Sequence, residues 1–170
     1  MDEYEDAADA DAAITALYRS HYAAMVRLAT LLLRDSAVAE EVVQDAFVAL
    51  HRRWHRLRDP SRAIAYLRTS VVHGSRSVQR RRAVAARHPE DPLPDAPSAE
   101  EGALRSAAAD AVVAAVHSLP RRQREAVVLR YYAGLTESEI AATMNISNGA
   151  VKSHTFRAMA ALRDVLEEWS

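Results

Sequence analysis

The chain has 170 residues, 22 basic and 23 acidic side chains, and a formal net charge of −1. Cysteine is absent, which excludes a disulfide framework, a thiolate zinc site and a thiol nucleophile. Only 4 glycines stand against 35 alanines, a composition that favours helix over tight turns or phosphate-cradling loops. No segment reaches the ~18–20 uninterrupted apolar residues of a membrane span. The N-terminus MDEYEDAADAD is acidic, unlike a secretory signal, so a cytoplasmic protein without membrane insertion is expected.

In chain order, residues 1–13 read as an acidic tail. Ile14, Leu17, Met25, Leu28 and Leu32 recur at helical spacing and predict a first helix ending near Arg34 and Asp35. A second helix spans about 36–57, its stripe formed by Val42, Val43, Ala46, Phe47, Leu50, Trp54 and Leu57. A third starts at Asp59-Pro60, where aspartate suits the N-cap and proline the first turn. Its inward residues are Ile64, Leu67, Val71 and Val78, and it ends in Arg80-Arg81-Arg82.

Residues 83–101 carry four prolines and five carboxylates without apolar periodicity. Such a segment buries too little apolar area to offset its ordering entropy, so it is expected to be a flexible acidic, Pro-rich linker. At ~3.3 Å per residue it can span up to roughly 60 Å. From Gly102 a second helical block begins, with Leu104, Ala108, Ala111, Val112, Ala115 and Val116 on one helix. The next helix starts near Leu119-Pro120 and ends before Gly134, which suits a left-handed cap. Thr136 and Glu139 match a capping box, a short helix runs to Met144, Asn145 turns the chain, and a last helix covers about 147–168. Two short helices around a tight polar turn read as helix-turn-helix. The expected fold is therefore all-α: a domain over 14–82, a linker over 83–101, and a domain over 102–170.

Charge is strongly segregated. Residues 51–88 hold eleven arginines and one aspartate, a balance of +10, beside Trp54 and Tyr66. Clustered cations neutralise phosphates, and aromatic faces stack unpaired bases. At ~100° per residue the last helix turns Val151, Thr155, Ala158 and Leu162 toward the core, with His154 at the edge of that side. Gly149, Lys152, Ser153, Phe156 and Arg157 fall on the opposite side. Cations, a hydroxyl and an aromatic ring are what a major-groove helix requires for phosphates, guanine edges and thymine methyls.

The block from Leu119 to Tyr132, with Gly134-Leu135-Thr136, Glu139-Ile140-Ala141 and Gly149 to Ser153, resembles region 4 of bacterial sigma factors. Residues 39–47 resemble region 2.2, and Ala65-Tyr66-Leu67-Arg68 through Arg80–Arg82 resembles regions 2.3 and 2.4. Order, spacing and linker are similar to the extracytoplasmic-function group of the sigma-70 family, in its arginine-rich actinobacterial style. The resemblance implies a transcription initiation factor with no cofactor or metal and no enzymatic activity. Its implied partners are core RNA polymerase, promoter DNA and an anti-sigma factor.

On these residues the resemblance implies that Glu40, Glu41, Gln44 and Asp45 meet the clamp of the large polymerase subunit. Tyr66, Arg68, His73, Arg76, Arg80, Arg81 and Arg82 fall to melting and holding the −10 element. Tyrosine stands where many members have tryptophan, and His73 where many have asparagine. Arg121, Arg122, Arg124, Lys152, Ser153, Phe156 and Arg157 fall to the −35 element. The linker would run through the polymerase channels later used by RNA.

Two other readings compete. Val151-Lys152-Ser153-His154 also looks like a LuxR-type helix-turn-helix, which would make the protein a stand-alone dimeric regulator. His51 and His55 stand one helical turn apart, as in zinc pairs, but the stretch lacks a glutamate base and is crowded by arginines.

Overall fold

The computed structural model describes residues 2–87 and 107–168, with side chains from residue 8 onward. The elements are helical throughout, and the chain divides into two compact units, Met1–Ala96 and Pro97–Ser170. Most of the acidic, Pro-rich stretch, with Gly102 and Leu104, lies outside the described residues.

The first unit packs α1 (Asp2–Leu33), α2 (Ser36–Arg53) and α3 (Ala63–Ala86) against one another. Helix α1 begins at Asp2 rather than Ile14. Ala7, Ala8, Ala10, Ala12 and Ala13 propagate helix well, and carboxylates at a helix N-terminus complement the macrodipole. Ala10 is 2% exposed, so packing as well as propensity holds the extension. The core comprises Met25, Leu28 and Leu32 from α1, Val42, Val43, Phe47 and Leu50 from α2, and Leu67, Val71, Val72 and Val78 from α3. Ile14, Leu17 and Ile64, expected inside, are half-buried.

Helix α2 stops at Arg53, earlier than the apolar stripe suggests. Trp54–Arg56 forms a tighter 3₁₀ turn, which carries Trp54 and Leu57 off the stripe and leaves both half-buried. Asp59 caps a second 3₁₀ turn, Pro60–Arg62, that leads into α3, its carboxylate accepting from the Ser61 amide at 3.0 Å. Inside α3, Gly74 permits close approach of α2: a β-carbon there would meet Val42 Cγ1 at 2.9 Å.

The second unit contains α4 (Ala107–Ser118), α5 (Arg121–Val127), α6 (Glu137–Met144) and α7 (Asn148–Glu168). Helix α5 widens into a π turn, Val128–Tyr132. Its exit is closed by the Ala133 amide on the Val128 carbonyl at 3.1 Å and the Leu135 amide on the Leu129 carbonyl at 3.0 Å. Gly134, at φ +69°, makes the reversal in the left-handed region that glycine occupies freely. The capping box forms: the Thr136 hydroxyl accepts from the Glu139 amide at 3.3 Å, and the Thr136 amide donates to Glu139 Oε2 at 2.8 Å. Asn145 takes φ 54° at the C-cap of α6. Ser147 caps α7 by accepting from the Ala150 amide at 3.1 Å. Leu119, Val127, Leu129, Leu135, Ile140, Met144, Val151 and Leu162 fill the core.

Arginines repeatedly close helix ends, where the last carbonyls lack intrahelical partners and a cation suits the dipole. Arg82 Nη1 donates to the Leu33 carbonyl at 3.1 Å and Nη2 to Asp35 Oδ2 at 2.9 Å, while Asp35 itself caps α2 through the Val38 amide. Gln79 adds a bond to the Leu32 carbonyl at 3.1 Å. In the second unit Arg124 Nη1 donates to the His117 carbonyl at 2.9 Å, and Arg122 Nη1 to the Met144 carbonyl at 3.3 Å.

Candidate nucleic-acid and polymerase interfaces

Helix α7 has two distinct sides. Val151, Ala158 and Leu162 are buried, with Thr155 half-buried. Lys152, Ser153 and Arg157 are exposed, and Phe156 is 73% exposed, a large apolar ring in water that packing does not explain. Lys152 Nζ lies 3.8 Å from Glu137 Oε2 on α6. A groove between the π turn and α7 is lined by Arg130, Tyr131, Glu137, Lys152 and Phe156. Tyr131, 64% exposed, belongs to this surface and was not singled out by the sequence. Its helical register is shifted by the π turn, which an even 3.6-residue period does not reveal.

The three arginines at the start of α5 divide. Arg121 is half-buried. Arg122 braces the helix-turn-helix through Met144 and stands 3.7 Å from Glu125, which is 1% exposed. A buried carboxylate requires such partners. Arg124 caps α4, so its guanidinium is committed to internal packing rather than turned outward as the sequence suggests. His154 is half-buried at the core edge, with Nδ1 shielded from solvent and without a hydrogen-bond partner among the described residues.

On α3, Tyr66, His73 and Arg80 stand seven residues apart and so fall on nearly one line along the helix. His73 and Arg80 are exposed and Tyr66 half-buried. Arg81 is exposed on the adjacent side, and Arg76, half-buried, flanks the line. Arg68 stands two residues from Tyr66, about 200° around the helix, so it does not share that face. Arg82, bound to Leu33 and Asp35, is held inward by the α1–α2 junction. Arg53 was missed by the sequence reading: its guanidinium carbon lies 5.9 Å from the Tyr66 ring centre.

On α2, Glu41, Gln44 and Asp45 are exposed and Glu40 half-buried, opposite the buried Val42, Val43, Ala46 and Phe47. Val48 is exposed in the middle of this polar face. Glu41 and Asp45 also rim a groove whose other wall carries Arg81 and Arg82 and whose floor is Val38, Val42, Val78 and Ala85. Tyr18 stacks on Tyr22 with ring centres 4.4 Å apart and sets its edge on Phe47 at 5.2 Å. Burial raises the Tyr22 phenol above its ordinary pKa, an effect opposed by the hydrogen bond from Gln44.

His51 Nε2 lies 2.7 Å from Asp11 Oδ1, and His55 falls in the 3₁₀ turn beyond the end of α2. The two histidines therefore do not share one continuous α-helical face. Among the described residues no group of three or more His, Cys, Asp or Glu side chains is placed to hold a metal ion, and no helix is long and apolar enough to cross a membrane.

Residues 17–85 match the family model "Sigma-70 region 2", and residues 109–162 match "Sigma-70, region 4". The chain is 33% identical over 149 residues to an RNA polymerase sigma-E factor of Streptomyces avermitilis, covering 88% of this chain and 82% of that protein. It is 33% identical over 178 residues to the ECF RNA polymerase sigma factor SigL of Mycobacterium tuberculosis, covering 99% and 97%. Among solved structures, RpoE of Bartonella quintana in complex with the anti-sigma factor NepR shares the fold, with a TM-score of 0.76 at 22% identity over 90% of this chain and 96% of that one. CnrH in complex with the cytosolic domain of CnrY gives a TM-score of 0.65 at 25% identity, over 96% of each chain. The stand-alone regulator reading gains no support from these matches, which cover both halves of the chain.

Proposed function

The chain belongs to the extracytoplasmic-function group of the sigma-70 family, and from that premise we propose that its exposed faces divide the work of transcription initiation. As an alternative sigma factor it binds core RNA polymerase, brings it to −35 and −10 promoter elements and promotes melting; the assignment of residues to these steps is our reading. Helix α7 enters the −35 major groove. Lys152 and Arg157 meet phosphates or guanine edges, Ser153 hydrogen-bonds, and Phe156 covers a thymine methyl. The observation that carries this reading is the exposure of Phe156 beside two cations, directly opposite a buried stripe. Arg121 contacts the backbone, whereas Arg122 and Arg124 act by holding the helices that present α7.

The line of Tyr66, His73 and Arg80, flanked by Arg76 and Arg81, faces the −10 element, with Tyr66 stacking an extruded base and the arginines following phosphates. Arg68, on the far side of α3, lies outside this surface, and Arg82 supports the surface structurally through the α1–α2 junction. The α2 face, polar around an exposed Val48, docks on the polymerase clamp through Glu40, Glu41, Gln44 and Asp45. An apolar centre within a polar rim is the usual anatomy of a protein interface. The protein acts in the cytoplasm beside the chromosome and leaves covalent chemistry to the polymerase. RpoE was solved with the anti-sigma factor NepR and CnrH with the cytosolic domain of CnrY, complexes that support control of this chain by an anti-sigma protein. Titration of labelled chain with core polymerase tests the clamp assignment. Gln44→Ala combined with Asp45→Ala is expected to weaken core binding about tenfold, a loss of ~1.4 kcal/mol. Unchanged affinity removes the α2 face from the interface.

A further inference from the structure

We propose that Arg53 forms the second wall of the base site on Tyr66, so that the extruded −10 base is held between a phenol ring and a guanidinium plane. This rests on the reading of Tyr66 as the stacking residue. Arg53 is the last residue of α2, and Tyr66 lies in the first turn of α3 across the two 3₁₀ turns. The guanidinium carbon stands 5.9 Å from the ring centre. Arg53 is exposed, and among the described residues its side chain makes no ion pair or hydrogen bond, so the ring is its one specific contact.

Its electrostatic surroundings make that placement informative. Between residues 51 and 62 the other charged groups are Arg52, Arg56, Arg58, Arg62 and Asp59. The single carboxylate, Asp59, is occupied by the Ser61 amide and hydroxyl and by Arg62. An arginine in this setting is repelled by its neighbours and, among the described residues, is paired with no carboxylate, so an incoming phosphate and base would complete the site. Two stacked layers need about 7 Å between their outer planes, twice the ~3.4 Å spacing of bases in DNA. With the guanidinium carbon 5.9 Å from the ring centre, a base enters once the exposed Arg53 side chain swings outward at the helix end. Arginine suits the position because its planar guanidinium stacks on aromatic faces, whereas lysine carries the charge without the plane.

The test uses holoenzyme reconstituted from core polymerase and the full chain. The probe is a promoter recovered by in vitro selection with that holoenzyme, carrying 2-aminopurine at the extruded −10 position. Arg53→Ala is expected to lower the open-complex signal about tenfold, within the range of one stacking contact, with core binding unchanged. Arg53→Lys is expected to fall nearly as far, because charge alone does not rebuild the wall. Full rescue by Arg53→Lys overturns the proposal in favour of a simple phosphate contact, and an unaltered Arg53→Ala overturns it outright. Tyr66→Ala, measured in parallel, separates the two levels. Loss with Tyr66→Ala but not with Arg53→Ala refutes the second wall alone, whereas no effect of Tyr66→Ala refutes the stacking site and the wall together.

Discussion

Replacing Arg82 by alanine should unfold the first unit more readily, although Arg82 belongs to an arginine run that reads as a DNA-binding patch. Its guanidinium joins the Leu33 carbonyl at 3.1 Å to Asp35 at 2.9 Å and so holds the α1–α2 junction. Hydrogen bonds involving charged groups contribute ~1.5–3 kcal/mol each when shielded. Arg82 is 34% exposed, so screening pushes its share to the low end, while Asp35 at 13% loses a nearly buried partner. A net loss of ~2 kcal/mol follows, which for a domain of this size lowers Tm by ~8–16 °C. Arg82→Lys should recover only part, since one ammonium cannot span both acceptors. Exposed Arg80 and Arg81 changed to alanine should stay within ~0.5 kcal/mol of the parent while weakening −10 binding. Calorimetry, with hydrogen exchange assigning the transition to α1–α3, measures the difference. Unchanged stability in Arg82→Ala, or equal destabilisation by Arg80→Ala, would refute the reasoning.

Phe156→Ala and Arg157→Ala should each cost ~1–3 kcal/mol in −35 affinity, with circular dichroism melts and core binding unchanged; a matching loss of core affinity would remove them from DNA reading. Gly74→Ala should gain ~1 kcal/mol of helix propensity yet destabilise by ~1 kcal/mol net, because its β-carbon would press on the stiff, buried Val42. A double-mutant cycle in urea with Val42→Ala reads the coupling. The Asp59 carboxyl is held below its ordinary 3.8 by the Ser61 hydroxyl first, then the Ser61 amide and Arg62. Its folded value being depressed, the capping contribution is present at neutral pH and is lost as pH falls through that value. Ser61→Ala should move the Asp59 titration, followed by carboxyl chemical shift in NMR, back toward 3.8.

Much of the architecture was legible because apolar periodicity and caps act locally. Thr136 with Glu139, Gly134 and the Val151–Leu162 stripe fall where spacing alone puts them. The helical start at Asp2 was hidden because alanine supports a helix without marking a face. The end of α2 was hidden because Trp54 and Leu57 keep helical spacing while the backbone tightens. Charge type was visible and charge use was not. Arg82, Arg122 and Arg124 resemble Arg80, Arg81 and Arg121 in sequence, and only tertiary placement shows which guanidinium groups end on carbonyls. The Arg53–Tyr66 contact crosses two turns and has no local signature.

The central claim is that this chain selects promoters through polymerase rather than alone. Transcription by core RNA polymerase from a genomic promoter library, with and without the full chain, tests it most directly. The account predicts new start sites that share one −35 and one −10 motif and appear only when chain and core are combined. Start sites unaltered by the chain, or the same sequences protected equally by the chain without core, would contradict it.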